Sequence, residues 1–315
     1  MYRQEGIPAN NAGIPYLEVF MPASTGCMNS VVAGVKDDLS DTLFELFAGL
    51  IYKTAGIKLN AQKKILLLSR LQKRLNALGL RGLEDYYKRV RSDDEERVMM
   101  LNCIATNTTT FFREKHHFDY LRKNVMPELL SKKAQNKAVR IWSAGCSTGE
   151  EPYSIAITLR EALSGSSGPG HDPWDSWDIK VLATDISTRV LEDAEAGIYE
   201  LDQVPESMLA GDVAQYFLKG KGENVGKVRV KDFLREVIRY RRLNLKDDVY
   251  PFSNAFDVIF CRNVMIYFDD AMKEHVLSRF HHHLAPGGYL FLGHSETMLN
   301  KGRFSPAFIT VYRKQ

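Results

Sequence analysis

Apolar residues recur at helical spacing through the first third of the chain. In residues 41–52 they are Leu43, Leu46, Phe47, Leu50 and Ile51. In residues 62–78 they are Ile65, Leu68, Leu71 and Leu75. A spacing of three and four places such side chains on one face of a helix. Gly79 and Gly82 separate these two predicted helices from a third around Tyr86, so the pattern predicts a small all-helical domain.

Beyond residue 136, short apolar runs alternate with helical stretches. The predicted strands are residues 138–144, 179–184, 256–261 and 289–292. The predicted helices are residues 152–163, a segment that Ser187 caps and Gly197 ends, and a segment built on Met272, Val276, Phe280 and Leu284. This alternation predicts an α/β fold in which helices cover both faces of a parallel sheet.

Residues 199–241 break the alternation. Three glycines, Gly220, Gly222 and Gly226, precede the alternating residues 227–230, which predicts a small antiparallel β insert. The resulting map is a flexible tail over residues 1–36, a helical domain and linker over 37–130, and an α/β domain over 131–315. The tail is rich in Gly, Pro, Asn and Ser and shows no secretion signal. No apolar run approaches the ~20 residues that span a bilayer.

Positive charge is concentrated in the helical part. The net charge of the chain is only +3, but the basic residues between positions 52 and 91 are opposed by Glu84 and Asp85 alone. Lys63, Arg70 and Arg74 fall on one face of the second predicted helix. The asymmetry predicts an acidic partner, although a solvated helical face explains the same charges equally well. The scattered cysteines, without a CxxC pair, are typical of reduced thiols in the cytosol.

The first predicted strand runs into residues 145–152, GCSTGEEP. Open parallel sheets bind ligands at such loops, beyond the carboxyl ends of the strands. A phosphate site would place unpaired backbone amides or a lysine at this point. This loop instead carries Glu150 and Glu151, which repel a pyrophosphate and attract an ammonium. Alternatively, the two glutamates only complement the dipole of the helix that follows. Asp185, just past the second strand, is placed to accept hydrogen bonds from ribose hydroxyls. These acids favour a nucleoside without phosphates that carries a cationic amino acid, as S-adenosylmethionine does.

Four motifs resemble, in the same order, those of the CheR family of chemotaxis receptor methyltransferases. They are TNTTTFFREKHHF (106–118), SAGCSTGEEPYS (143–154), FDVIFCRNVMIYF (256–268) and GHSE (293–296). The resemblance implies a helical receptor-recognition domain followed by a Rossmann-like class I methyltransferase domain with a small β insert. Residues 164–177 form a longer loop than the family pattern, and we expect this loop only to decorate the surface.

The resemblance also implies the cofactor, S-adenosylmethionine, its product, S-adenosylhomocysteine, and roles for single residues. In the linker, the residues implied to contact the cofactor are Asn107, Thr109 and Arg113. Glu151, together with Glu150, is implied to contact the methionyl amino group, and Asp185 the ribose. Asn244 and Leu245 are implied to lie at the adenine, and Arg262 and Asn263 to contact the cofactor just after the third strand. Tyr267 takes the position that faces the transferred methyl group. The implied substrates are glutamate side chains on the cytoplasmic helices of methyl-accepting chemotaxis receptors, which Lys63, Arg70 and Arg74 would contact. A receptor C-terminal peptide would be tethered at the β insert.

The residues agree with this chemistry. Displacement at a sulfonium methyl is in line, and a glutamate with a pKa of ~4.3 is already ionised at neutral pH, so no general base is required. The site has to supply alignment and electrostatics. Arg113 can hold the incoming carboxylate with a fork of hydrogen bonds, and Tyr267 can orient it or line the methyl path. Alternatively, Arg113 is a structural ion-pair residue and Tyr267 a core aromatic.

Other functions fit parts of the pattern. An RNA methyltransferase would use the basic helix for phosphates, but that helix lacks interleaved aromatic residues. A signalling adaptor could keep the pocket without catalysis, but the presence of Asn107, Arg113, Asp185 and Tyr267 together argues against decay. No metal is predicted, because the consecutive residues 281–283, HHH, point in different directions on a helix. Cys146 has no evident base partner and is not predicted as a nucleophile. We expect a cytoplasmic enzyme that neither binds nucleic acid nor inserts into a membrane.

Overall fold

The computed structural model describes residues 39–165, 173–205, 213–296, 298 and 302–315. The predicted tail, residues 1–36, and residues 166–172 of the long loop at 164–177 lie outside the described residues. The helical and the α/β parts of the chain belong to one compact unit. In the described part of the chain, no helix is both long enough and apolar enough to cross a membrane.

The N-terminal part is a bundle of helices. They are α1 (Asp41–Ala55), α2 (Lys64–Leu78), α3 (Leu83–Ser92) and α4 (Asp94–Ile104). The hydroxyl of Ser40 accepts a hydrogen bond from the Leu43 amide at 3.2 Å, which caps the start of α1. Phe47, Leu71 and Tyr86 are fully buried between the helices. The three predicted helices are confirmed. Helix α4 was not predicted, because its apolar residues are not confined to one face.

A continuous helical segment leads from the bundle to the sheet. Helix α5 (Lys115–Tyr120) continues through the π-helical turn Leu121–Val125 into α6 (Met126–Lys132). Phe118 and Met126 are buried in the apolar cluster that covers one face of the sheet. The segment between α4 and α5, residues 105–114, is the linker between the two parts.

The strands of the described chain form two sheets. In chain order they are β1 (Ala138–Ala144), β2 (Asp178–Asp185), β3 (Ile198–Glu200), β4 (Phe217–Lys219), β5 (Lys227–Val230), β6 (Ile238–Arg242), β7 (Phe256–Cys261), β8 (Leu284–Leu292), β9 (Phe304–Phe308) and β10 (Val311–Lys314). The main sheet has the order β6-β2-β1-β7-β8-β10-β9. It is parallel from β6 to β8, and β10 and β9 are antiparallel. Since the chain fills β1, β2 and β6 before it crosses to β7, the strand order reverses between β1 and β7.

Helices cover both faces of the main sheet. Those that contact its strands are α7 (Glu150–Ser164), α8 (Thr188–Ala196) and α11 (Asp270–His283). The short helix α9 (Val213–Tyr216) adjoins β4 of the insert, and α10 (Asp232–Arg235) adjoins α7. Alternate residues of β1 enter opposite layers: Val139 and Ile141 lie in one buried cluster, and Trp142 and Ala144 in the other. The predicted fold class, a Rossmann-like α/β domain after an all-helical one, is confirmed.

The β insert is smaller than the predicted 199–241. Strands β3, β5 and β4 do form a separate antiparallel sheet. Strand β6, however, pairs in parallel with β2 in the main sheet, where Ile238 lies opposite Val181. The sequence of β6, IRYRR, has a polar surface at the sheet edge and no apolar run, which is why its pattern did not indicate a sheet strand. The C-terminal hairpin β9–β10 also lacks a predicted counterpart.

Candidate active site

A cavity lies beyond the carboxyl ends of β1, β2 and β7, where the strand order reverses. Its walls come from the loops that follow these strands, from the linker, and from α1 and α2 of the bundle. Of the predicted cofactor and catalytic residues, those that line it are Asn107, Thr109, Arg113, Glu151, Asp185, Asn244, Leu245, Arg262, Asn263 and Tyr267. Lys63 and Arg70 line it as well. The fold thus brings together residues that lie far apart in the sequence.

The loop after β1 is held in place by polar contacts on two sides. Ser147 adopts a left-handed conformation, with φ of 50°. Its amide donates to Asp185 Oδ2 at 3.0 Å, and its hydroxyl donates to the carbonyl of Asn107 at 2.9 Å. Gly149, with φ of 99°, lies so close to α8 that a Cβ would come within 2.8 Å of the Ala194 methyl group, so only glycine fits there. The loop therefore fixes the linker relative to β2.

Asp185 ends β2 with its carboxylate in the cavity wall. Its two oxygens accept hydrogen bonds from the amides of Ser187, at 2.9 Å, and Ser147, at 3.0 Å. Burial raises the pKa of Asp185, and these amides oppose the rise. Each oxygen of a carboxylate can accept more than one hydrogen bond, so both remain able to accept from a ligand hydroxyl.

Glu151 lies in the first turn of α7 and is held between two donors. Its Oε1 accepts from the Ser143 hydroxyl at 2.7 Å, and its Oε2 lies 3.4 Å from Nη1 of Arg262. Burial raises the pKa of Glu151, whereas the guanidinium of Arg262 lowers it. A fixed, half-buried carboxylate next to the cavity is suited to a cationic group of a ligand.

Glu150 does not share this position. It is only 4% exposed, does not line the cavity, and its Oε2 accepts from the Thr148 hydroxyl at 2.7 Å. Successive residues of a helix point about 100° apart, so Glu150 and Glu151 cannot both face the same ligand. The structure therefore does not place Glu150 in the cavity wall, and of the two glutamates Glu151 is the candidate for the predicted contact with the methionyl amino group.

Asn244 uses its side chain to join the two parts of the protein. Its Nδ2 donates to the carbonyl of Thr54, near the end of α1, at 2.7 Å, and its Oδ1 accepts from the Lys246 amide at 3.1 Å. Leu245, which is 8% exposed, adds apolar surface beside it. Asn244 thereby fixes this wall of the cavity relative to α1.

Arg113 and Tyr267 face the cavity from opposite segments, the linker and the turn after β7. Arg113 is exposed, and its Nη1 donates to the carbonyl of Thr108 at 3.1 Å. Tyr267 is half-buried, and the ammonium of Lys63 lies 5.1 Å from the centre of its ring, within the range of a cation–π contact. The Lys58 amide donates to the carbonyl of Tyr267 at 2.9 Å. The bundle thus contributes positive charge next to Tyr267.

Two of the three predicted receptor-binding cations are engaged inside the protein. Arg74 makes a two-pronged ion pair with Glu96, with both N–O distances at 2.7 Å, and Glu96 is 3% exposed. Arg70 donates to the carbonyl of Ala105 at 2.8 Å and also to that of Ile104. Helix periodicity does not reveal that α4 lies against this face of α2. The contact of these two side chains with a receptor stays a prediction, and in this geometry both are already engaged within the protein. Lys63 remains next to the cavity.

Two carboxylates near the site, one buried and one half-buried, had no predicted role, although both belong to recognised motifs. Glu296, 4% exposed, accepts from the amides of Gly293 at 2.6 Å and Asn263 at 2.9 Å. It thereby fixes the turn after β7, in which Asn263 has a φ of 60°. Glu114 accepts from the amide of His294 at 3.2 Å. The only available signal was their place in the motifs, since both roles depend on contacts with distant residues.

Comparison with known proteins gives consistent matches over both parts of the chain. Residues 107–313 match the family described as CheR methyltransferase, SAM binding domain, and residues 42–105 match CheR methyltransferase, all-alpha domain. A chemotaxis protein methyltransferase of Salmonella typhimurium is 42% identical over 87% of this chain and 90% of its own. One of Borreliella burgdorferi is 36% identical over 89% of this chain and 94% of its own.

Among solved structures, N-methyltransferase NodS from Bradyrhizobium japonicum is 13% identical, over 54% of this chain and 60% of its own, with a TM-score of 0.28. That likeness is too weak to add to the family matches. The matched SAM binding domain confirms the predicted cofactor, S-adenosylmethionine.

Proposed function

Since the chain belongs to the CheR methyltransferase family, we propose that it transfers the methyl group of S-adenosylmethionine to glutamate side chains of methyl-accepting chemotaxis receptors. The products are glutamyl methyl esters and S-adenosylhomocysteine, and the reaction serves sensory adaptation. The observation that carries the proposal is one cavity whose wall holds the carboxylates of Glu151 and Asp185 together with the exposed guanidinium of Arg113. Two acids suit a cationic nucleoside, and the guanidinium suits an incoming carboxylate.

The residues present fit the cofactor. Asp185 keeps acceptor capacity for the ribose hydroxyls beyond its two backbone hydrogen bonds. Glu151 is held where it can pair with the methionyl ammonium, and Leu245 adds apolar surface for the adenine. Asn107 and Thr109, in the linker, cover the other side of the cavity. These assignments are part of the proposal.

The chain contributes alignment and charge to the reaction. When bound, the cofactor supplies a methyl group on a positively charged sulfur. An attacking glutamate with a pKa of ~4.3 is already ionised, so none of the side chains has to remove a proton. The guanidinium of Arg113 makes one hydrogen bond among the described residues, to the Thr108 carbonyl, and has further donors with which to hold the carboxylate in line. Tyr267 lines the path between them.

The proposed partner is an acidic receptor helix that approaches from the bundle side. Lys58 and Lys63 adjoin Tyr267, through a backbone hydrogen bond and a ring contact respectively. Their charges support an acidic protein surface as substrate. The β insert ends in two edge strands, β3 and β4, on either side of β5, and an extended receptor peptide could pair with such an edge. Tethering there and a cytoplasmic location stay predictions.

The testing experiment uses S-adenosylmethionine that is radiolabelled on its methyl group, incubated with the protein and receptor-containing membranes. We expect label on the receptor that mild base releases as methanol, because only a carboxyl ester is cleaved in this way. Label that resists base would contradict glutamate as the acceptor. Label on added RNA would favour an RNA methyltransferase, and cofactor binding without any transfer would favour an adaptor.

A further inference from the structure

The side chain of Glu114 joins four separate segments beside the cavity. Its Oε1 accepts from the His294 amide at 3.2 Å and lies 3.5 Å from Nδ2 of Asn263. Its Oε2 lies 3.3 Å from Nη2 of Arg262 and 3.4 Å from Nδ1 of His117. Glu114 itself has a left-handed backbone, with φ of 56°, which costs free energy for a residue other than glycine. The contacts of its side chain compensate for that cost.

Arg262 is shared between two carboxylates. Its side chain is only 2% exposed, and it lies 3.3 Å from Glu114 and 3.4 Å from Glu151. Its Nη2 also donates to the backbone carbonyl of Arg113. Two carboxylates and one guanidinium leave the cluster with one uncompensated negative charge when both acids are ionised. If Glu114 were neutral, Arg262 would pair with Glu151 alone, and that charge would be cancelled.

We propose that Glu114 is a positioning residue for the amino-acid end of the cofactor. It holds Arg262 so that Glu151 keeps negative charge for the methionyl ammonium, and it fixes the linker from which Arg113 extends. This inference rests on the proposed place of the cofactor in the cavity. Glu114 does not itself line the cavity, so it acts through Arg262 and through the backbone.

A metal ion is the alternative explanation of the same cluster. Glu114, His116 and His117 have potential ligand atoms within 4.8 Å of one another, and His117 is fully buried. The guanidinium of Arg262, 3.3 Å from the same oxygen of Glu114, opposes a second cation there. His117 also has its Nε2 committed to Thr310, 2.9 Å from the hydroxyl. The same Nε2 lies 3.1 Å from the carbonyl oxygen of Ile309, an atom that can only accept a hydrogen bond, so a protonated Nε2 satisfies this side of the ring without a metal.

The test compares two ligands that differ only in the amino-acid end. S-adenosylhomocysteine carries the ammonium, whereas methylthioadenosine keeps the nucleoside and the sulfur but lacks the amino acid. For Glu114→Gln we expect the affinity for S-adenosylhomocysteine to fall by about tenfold, with methylthioadenosine affinity changed less than about twofold. Titration calorimetry measures both. Damage to the fold would lower the affinity for both ligands together, and equal losses of affinity for the two ligands would overturn the proposal.

Further variants make the result specific. Glu128→Gln is the matched control, because Glu128 also pairs with an arginine, Arg313, at 2.6 Å but does not line the cavity; its ligand affinities should be unchanged. Glu114→Asp keeps the charge on a shorter side chain and should lose less affinity for S-adenosylhomocysteine than Glu114→Gln. If the Gln variant does not fold, the Asp variant provides the affinity measurement in its place. Normal S-adenosylhomocysteine binding by both Glu114 variants would overturn the proposed role of Glu114 and leave the proposed cofactor site intact. A wild-type protein that does not bind S-adenosylhomocysteine would overturn the proposed cofactor site, and this inference with it.

Discussion

At the scale of single residues, the proposed roles divide the site between cofactor and substrate. Glu151 and Asp185, proposed to hold the cofactor, are half-buried and fixed by neighbouring donors, whereas the side chain of Arg113 is exposed and makes one described hydrogen bond. A carboxylate that its neighbours fix can remain in place between turnovers. An exposed guanidinium is free to meet a group that arrives from solution on another protein.

Arg113→Ala should therefore lower kcat by about 100-fold, in the range found when a single charge-stabilising donor is removed. Cofactor affinity should change much less, because the two acids remain. Initial rates at saturating cofactor, with calorimetric titration of S-adenosylhomocysteine, give the two quantities. Lys115→Ala is the control, since Lys115 is 77% exposed and pairs only loosely with Asp119, at 4.0 Å. A wild-type kcat for Arg113→Ala with intact cofactor binding would remove Arg113 from the mechanism.

At the scale of elements, α2 is a structural helix as much as a binding one. Arg74 and Tyr86 both donate to Glu96, Tyr86 at 2.9 Å, so a buried polar cluster joins α2, α3 and α4. Arg70 binds carbonyl groups at the end of α4, immediately before the linker. The orientation of α2 and the start of the linker are therefore set by the same row of side chains.

Arg74→Ala should destabilise the protein by about 3 kcal/mol, because removal of one partner leaves the Glu96 carboxylate buried without its counter-ion. Chemical denaturation followed by circular dichroism measures the loss. Lys73→Ala, an exposed neighbour on α2, should change the free energy of unfolding by less than about 0.5 kcal/mol. Equal effects of the two substitutions would show that the ion pair contributes nothing beyond a surface charge.

The same pair gives stability a defined pH dependence. Burial alone would raise the pKa of Glu96, but the hydrogen bonds from Arg74 and Tyr86 hold it below its ordinary value. The folded state then binds fewer protons than the unfolded state around the ordinary glutamate pKa of ~4.3. The stabilisation that the lowered pKa of Glu96 provides is fully present above that pH, and it is lost as the pH falls through the pKa that Glu96 has in the folded state. In Arg74→Ala the stability curve should be flatter in that range.

Prediction from sequence worked where the signal is local and periodic. Strand β1 has the predicted bounds of residues 138–144, and the Ser187 cap of α8 is confirmed by its acceptance from the Val190 amide. Prediction from the sequence failed where contacts between distant segments determine the position of a side chain or a strand. Whether Arg74 faces solvent depends on α4, and whether Glu150 or Glu151 faces a ligand depends on the exact start of α7. Strand β6 is recognised only when β2 is beside it.

At the scale of the whole molecule, the free cations beside the cavity are fewer than the sequence suggested. With Arg70 and Arg74 engaged, Lys58 and Lys63 are the bundle lysines that adjoin Tyr267. Exposed charge pairs contribute only ~0–1 kcal/mol each. Acting together, however, they can steer the encounter with an acidic helix.

Reversal of both lysines, Lys58→Glu with Lys63→Glu, should raise the apparent KM for receptor, and added salt should have a similar effect on the wild type. Methylation rates against receptor concentration, at low and high salt, measure this. Lys73→Glu is the control, because Lys73 lies on a different face of α2. If the double variant matches the wild type at low salt, the receptor is recognised elsewhere.

The linker over the cavity ties ligand binding to the union of the two domains. One wall of the cavity belongs to the bundle and the linker, and the other to the loops of the sheet. A ligand that fills it touches both, so its binding free energy includes a term for keeping them together. Coupling of this kind is reciprocal. The factor by which the nucleoside favours the joined domains is therefore the factor by which a receptor that holds them together raises the affinity for the nucleoside. A receptor that separates them lowers that affinity.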